Sequence, residues 1–391
     1  MKGSNQITVR NNNERVILHL IRQRGVLTKA EATRETGLSP NAVSVIFNAL
    51  EDENLLLRGA ALRGRIGQPS VPLRLNPDAR YYIGLKIGRQ SYEMLVVDFC
   101  GTIRARRFQT HAYPTPQGMT EFVRSNLTGL LRSARVGKAQ ICGTGVAMPS
   151  QIWEWVEDFD AAQTEMDAWR DFDTEGQLAA VLPGPVLVEN DGTAACRAEW
   201  VFGTLSQKTD SIYFFLGTFI GGGIILNGSV FRGCRGNAGG FGPLRIPDEP
   251  GGTRLIDHAS LSVLDRMLRE QGTVTRATAT DAGNWSRLEP VLSTWIERAS
   301  RSLAHAIVSS AAVVDFDHVV IDGSFPSAVR SQLVVATDAY LKQLDLQGVN
   351  RPALWNGSFG DSARALGAAS IHISARHMID RSEGLALPSG I

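Results

Sequence analysis

The chain has 391 residues, 43% of them hydrophobic, enough for two or three domains whose cores need no disulfide or metal staples. Forty Lys and Arg against 39 Asp and Glu leave a net charge of +1, so a nucleic-acid partner has to be read from where the charges sit, not from their total. They are segregated: residues 1–75 hold 11 Lys/Arg and 6 Asp/Glu, and the rest of the chain holds 29 and 33. The four cysteines, Cys100, Cys142, Cys196 and Cys234, form no CxC or CxxC pair, as expected of a reduced cytosolic protein without a zinc site. No apolar run approaches the roughly 20 residues that span a bilayer, and the N-terminus lacks an apolar signal region, so a cytoplasmic location and no membrane partner are expected.

In chain order, Val16, Ile17, Leu20 and Ile21 recur at helical spacing between Asn13 and Arg24, and Gly25 stands where a left-handed C-terminal residue is wanted. Thr28-Lys-Ala-Glu31 has the capping-box spacing, and Gly37 closes that second helix. Ser39-Pro40 then opens a third helix with Val43, Ile46, Phe47 and Leu50 on one face. Three helices with a tight second turn predict a helix-turn-helix.

The outer face of the third helix presents Asn41, Ser44, Val45 and Asn48, side chains able to pair with base edges in a major groove. Three amphipathic helices with a solvated outer face are common, but the Gly37-Leu-Ser-Pro40 turn and the local positive charge point to DNA. Thr28 and Ser39, at the two helix starts, join the candidate DNA contacts. Leu55-Leu-Leu57 and Val71-Pro-Leu-Arg-Leu75 bracket a Gly- and Arg-rich hairpin tip that reads as a wing. In it, Arg63-Gly-Arg65 suits either a narrow minor groove or phosphates alone.

Asn76-Pro77 reads as the interdomain junction. Beyond it, Tyr81–Ile87, Tyr92–Phe99 and Ile103–Gln109 predict an antiparallel meander. Helices near 118–134, Asp173–Leu182 and Gly192–Phe202 then alternate with strands Ile141–Met148, Val186–Glu189, Ser211–Phe215 and Gly222–Leu226, an α/β body. Leu216-Gly-Thr-Phe-Ile-Gly-Gly-Gly223 marks close backbone approach or sharp hairpins. Glu189-Asn190-Asp191 places an amide and a carboxylate at a strand end, where such sheets hold ligands.

Taken together, these segments and the Gly236-Asn-Ala-Gly239 stretch resemble the ROK family of repressors and sugar kinases over nearly the whole chain. The resemblance implies an α/β fold: a winged helix-turn-helix over residues 1–77, then a two-lobed sugar-kinase/actin-like body. Lobe 1 would cover 78–190, with 371–391 returning to it, and lobe 2 would cover 191–370. It also implies a double-stranded DNA operator, a homodimer or homotetramer, and a small sugar-like effector held by Asn190, Asp191, Gly217 and Thr218.

The departures from the family pattern bear on chemistry. Where family kinases carry an Asp-x-Gly-Gly-Thr phosphate and magnesium loop, this chain reads Lys86-Ile-Gly-Arg-Gln90. Where they carry Gly-Thr-Gly it reads Gly217-Thr218-Phe219. Phosphoryl transfer needs a metal and positioned phosphates, so Asp191, at the place of the catalytic base, is expected to do no kinase chemistry, with no cofactor bound. The family's zinc His and Cys positions fall on Ala238-Gly-Gly-Phe-Gly-Pro243 and Glu249-Pro-Gly-Gly-Thr-Arg-Leu255, so no structural zinc is expected. The same comparison removes sugar-binding carboxylates. Asp257 and His258 are then either substitute effector contacts or a solvated helix start, and Trp153 and Trp155 either pack or stack on a sugar. Lys86 either crosses to pair with Asp191 or runs to solvent beside Asp98 or Glu93. The reading reached is a DNA-binding repressor on a catalytically dead body; a carbohydrate kinase and a scaffold that no longer binds DNA are the alternatives.

Overall fold

The computed structural model describes residues 6–60, 71–154, 161–207, 210–247, 253–273 and 282–379. Three helices open the chain: α1 (Gln6–Arg24), α2 (Lys29–Thr36) and α3 (Pro40–Asp52). The first begins at Gln6, upstream of the predicted Asn13, because the intervening stretch holds only Ile7 and Val9, two positions apart, and carries no helical apolar period to read. The capping box at α2 is complete: the Thr28 hydroxyl accepts the Glu31 N–H at 3.2 Å, and the Glu31 carboxylate accepts the Thr28 N–H at 2.9 Å. Gly37 ends the helix at φ +69°, and the Ser39 hydroxyl accepts the Ala42 N–H to start α3. Val43, Ile46, Phe47 and Leu50 are buried against Ile17, Ile21 and Leu27.

Strands β1 (Leu56–Arg58) and β2 (Leu73–Leu75) pair antiparallel, Leu56 opposite Leu75 and Arg58 opposite Leu73. The segment between them, with Arg63 and Arg65, lies outside the described residues apart from its two ends. Asn76 is no loose hinge. Its amide donates to the Asn54 carbonyl at 2.9 Å and its side-chain oxygen accepts the Asp78 N–H at 3.1 Å.

The body then runs β3 (Tyr81–Ile87), β4 (Ser91–Asp98), β5 (Ile103–Thr110), α4 (Pro116–Ala134), β6 (Ile141–Met148), α5 (Gln163–Asp167), α6 (Thr174–Ala179), β7 (Val186–Asn190) and α7 (Asp191–Phe202). The second half continues with β8 (Ser211–Leu216), β9 (Ile220–Leu226), β10 (Ser229–Phe231), β11 (Arg245–Ile246), β12 (Thr253–Arg254), α8 (Ile256–Ala259), α9 (Leu261–Glu270) and α10 (Val291–Val314). It closes with β13 (His318–Gly323), α11 (Ser327–Leu341), β14 (Ala353–Asn356) and α12 (Ala363–His377). Helix α6 is shorter than the predicted Asp173–Leu182: Asp173 is spent as its N-cap, and Pro183-Gly184 lies just beyond its end.

Two five-stranded sheets carry the body, in the orders β5-β4-β3-β6-β7 and β10-β9-β8-β13-β14. They share one plan: an antiparallel meander whose first strand also heads two parallel additions. Between them lie α7 and α12, packed on each other, α12 against β3 and β6 and α7 against β9. The approach is backbone to backbone. A Cβ built on Gly145 would stand 1.8 Å from the Ala368 carbonyl oxygen, and one on Gly367 would stand 1.7 Å from that of Ala194.

The three-helix unit is fused to this body. Its apolar residues share one buried cluster with Tyr82, Phe99, Trp200 and Ile373. Arg22 donates to the Phe99 carbonyl at 2.9 Å, with its guanidinium over the Phe99 and Phe202 rings. At the far end of α12, the His377 ring meets Phe99 edge-on at 5.0 Å.

Candidate DNA interface and effector cleft

Helix α3 turns Asn41, Val45 and Asn48 outward, with Ser44 half-exposed beside them. Val45 is 60% exposed, an apolar group of the kind that meets a thymine methyl, in a row otherwise made of amides and a hydroxyl. The Asn48 side-chain oxygen accepts from the Lys29 ammonium at 3.2 Å, which ties the start of α2 to the row. Thr28 and Ser39 sit differently. Thr28 is buried with its hydroxyl in the capping box, and the exposed Ser39 has its oxygen committed to the Ala42 N–H. Both serve as N-caps of their helices.

The cleft lies where the two sheets face each other. One cavity of about 300 Å³ is lined by Ser150, Glu154, Asn190, Asp191 and Asn237, and a second of about 490 Å³ by Ser91, His111, Thr218 and Asp361. Arg89 and Arg364 line both. Asn190 is the N-cap of α7: its oxygen accepts the Gly192 and Thr193 N–H groups, and its amide donates to the Ser150 hydroxyl at 3.0 Å. That leaves Asp191 on the first turn, facing the cavity. Gly217 lies beside Arg364, and its carbonyl accepts the Leu261 N–H.

Asp257 and His258 line neither cavity. Ile256 faces the cleft, and its two neighbours on the single-turn helix α8 point elsewhere. Asp257 takes a bidentate pair from Arg254 at 2.8 and 2.9 Å. The His258 ring is buried between the Ser302 and Thr253 hydroxyls, at 3.0 and 3.1 Å. His258 is therefore not the solvated helix start that was one expectation. Trp153 packs under the Arg170 guanidinium, and Trp155 lies outside the described residues.

Lys86 does not reach Asp191, nor does it run to solvent. It is 1% exposed, donates to the Ser91 hydroxyl at 3.0 Å and lies 3.8 Å from the Glu93 carboxylate. The register explains this: Lys86 stands directly opposite Glu93 in the β3–β4 pair, so both side chains leave the same face of the sheet. Burial lowers the Lys86 ammonium and raises the Glu93 carboxyl. Asp191 is met instead by Arg364, at 3.8 Å. Asp361 lies the same distance from Arg364; desolvation alone would raise it, but Lys86, Arg364 and Arg106 hold it down to about 2.

Arg364 escapes a reading of the sequence. The available signal was a lone cation in the small-residue run Ser362-Ala-Arg-Ala-Leu-Gly-Ala-Ala369, a composition suited to close helix packing. Among the described residues no three His, Cys, Asp or Glu side chains could share a metal ion, and no helix is long and apolar enough to cross a membrane.

The chain is 25% identical over 246 residues to the xylose repressor of Bacillus subtilis, which is 63% of each protein. It is 27% identical over 173 residues to the glucokinase of Halalkalibacterium halodurans, covering 44% of this chain and 52% of that enzyme. The crystal structure of a ROK family transcriptional regulator, a homolog of the E. coli MLC protein, superposes with a TM-score of 0.66 at 19% identity. That likeness covers 94% of this chain and 97% of the other, three-helix unit included, and shows the fold: N-terminal helices followed by a sugar-kinase/actin-like body. The ROK family profile matches residues 82–375, nearly all of the body; the chain belongs to the ROK family.

Proposed function

We propose that this chain is a DNA-binding transcriptional regulator, a repressor with a winged helix-turn-helix that reads a double-stranded operator as a homodimer or homotetramer. Its body takes a small sugar-like effector in the cleft, in the service of carbohydrate metabolism, and transfers no phosphoryl group. The carrying observation is the exposed row Asn41, Val45 and Asn48 on a helix whose opposite face is locked into a buried core. A rigid helix with small amide and apolar groups outward is what major-groove readout needs. The xylose repressor is by its name a repressor, and its similarity supports the same class of role here.

One observation favours a carbohydrate kinase: Asp191 remains at the cleft. Against that reading, Lys86 is buried on Glu93 within the first phosphate-loop segment, and Arg89 stacks on Phe219, 4.8 Å from the ring centre, in the second. Two measurements test the proposal. Titrating the full chain onto labelled DNA from upstream of its own gene is expected to give binding about 10³-fold tighter than to random DNA, with a steep salt dependence. Equal affinity for both DNAs would overturn the regulator reading, and turnover of ATP with a sugar would establish the kinase.

A further inference from the structure

Arg89 and Arg364 are the two charged side chains common to both cavities, and each guanidinium lies over a phenylalanine ring. Arg364 rests over Phe215 at 4.7 Å and Arg89 over Phe219 at 4.8 Å. Stacking fixes the plane of a guanidinium and leaves its N–H edge directed sideways, the arrangement that takes a carboxylate or phosphate through two parallel hydrogen bonds.

The contacts of Arg364 are loose for so buried a cation. The residue is 9% exposed, its two carboxylate neighbours are each 3.8 Å away, and its Ser324 contact is 3.2 Å. Its Nε is buried with no hydrogen-bond partner, a donor costly to leave unmet. Among the residues that line the second cavity, Arg89 and Arg364 stand against Asp361, and Asp361 is already met by Arg106 at 3.1 Å. The first cavity is different in kind. Ser150, Asn190, Asn237 and the carboxylates of Glu154 and Asp191 offer hydroxyl partners, and together the two cavities exceed what a neutral monosaccharide fills.

We propose that the effector is an anionic monosaccharide, a uronate or a sugar phosphate, with its acid group forked between Arg364 and Arg89 and its hydroxyls on Asn190, Asp191 and Glu154. This deepens the regulator reading and rests on it. The acid group takes the unmet Arg364 donor and meets the two guanidinium groups that line the second cavity.

The test is isothermal titration of the full chain with matched sets: glucose, galactose and mannose, their uronates, and their 6-phosphates. Inorganic phosphate is titrated alone. At least one acid is expected to bind about ten- to a hundredfold tighter than its neutral parent, the scale of a charge-assisted hydrogen bond. The uronate and phosphate arms tell which acid is read. Arg364→Met should erase that preference, and Arg364→Lys, which keeps the charge without the fork, should restore only part of it. Arg89→Gln gives a second reading from a loop position if Arg364→Met does not fold. Neutral sugars binding as tightly as their acids, no acid binding at all, or an intact preference in Arg364→Met and Arg89→Gln would overturn the proposal. Binding of inorganic phosphate alone, with no gain from the sugar, would also overturn it. Operator binding by the protein without sugar, measured separately, reports on the regulator reading itself, so the two can fail independently.

Discussion

The Arg89 guanidinium lies over the Phe219 ring, 4.8 Å from its centre. In sequence these are two unconnected departures from the family's phosphate loops, 130 positions apart; in space they close on each other. A cation–π contact of this kind contributes about 0.5–1 kcal/mol at an accessible site, and it joins the two segments that the resemblance aligns with the kinases' phosphate loops. Neither ATP nor ADP with magnesium is expected to raise the melting temperature of the protein, and no ADP should form with any neutral hexose. A ligand-dependent shift with nucleotide, read by differential scanning fluorimetry, would contradict this.

Readout by α3 predicts two distinct mutant behaviours. Asn41→Ala should lose about 1–3 kcal/mol on the operator and almost nothing on random DNA, the mark of a base contact. Arg65→Ala should weaken both alike and lower the salt slope, the mark of a phosphate contact. Fluorescence anisotropy at several salt concentrations separates the two, and unchanged affinity and preference in both variants would refute the docking.

In the second sheet, Asp322 is fully buried and holds Arg330 at 2.9 Å, the Tyr213 hydroxyl at 3.0 Å and the Gly323 N–H at 2.8 Å. Removing its carboxylate leaves the buried Arg330 without its counter-charge, held only by the Gly357 carbonyl among the described residues. Asp322→Ala should therefore cost about 3–5 kcal/mol, measured as a lowered urea midpoint, whereas Asp338→Ala on the surface should cost under about 1 kcal/mol.

Burial pushes His377 down to about 3, helped by Arg22, Arg80, Arg376 and Arg15, and burial with the charge of Lys86 pushes His111 down to about 4. Both stay neutral in the folded chain while their unfolded counterparts gain a proton near pH 6.5. The folded state thus binds fewer protons, and stability falls as pH drops from 6.5 toward 4, by at most about 1.4 kcal/mol per pH unit for each group. His377→Gln is expected to flatten that acid limb in a series of melts from pH 8 to pH 4; an unchanged slope would show that His377 does not contribute.

The three N-terminal helices were legible because their signals are local. Thr28 with Glu31, Gly37, and Ser39 with Pro40 each act within one turn, and the structure uses every one of them as a cap. The meander was legible for the same reason. The cleft was not, because its electrostatics are long-range: Arg364 meets Asp191 only after the chain has built both sheets. Family position alone suggested Lys86 for that role, but strand register, which a residue-type comparison does not contain, gives Lys86 to Glu93. Likewise, the motif comparison located Asp257 and His258 near the site without revealing that Ile256 takes the inward position on so short a helix.

Helix α12 carries Arg364 on its first turn, at the cleft, and His377 on its last, against the ring of Phe99 that Arg22 also grips. Between those ends it is wedged main chain to main chain, with Gly145 against Ala368 and Gly367 against Ala194. Side chains absorb strain by changing rotamer, but abutting backbones have no such slack. The helix is therefore a strut about 20 Å long, with its middle fixed by main-chain contact, one end at the cleft and the other at the seat of α1.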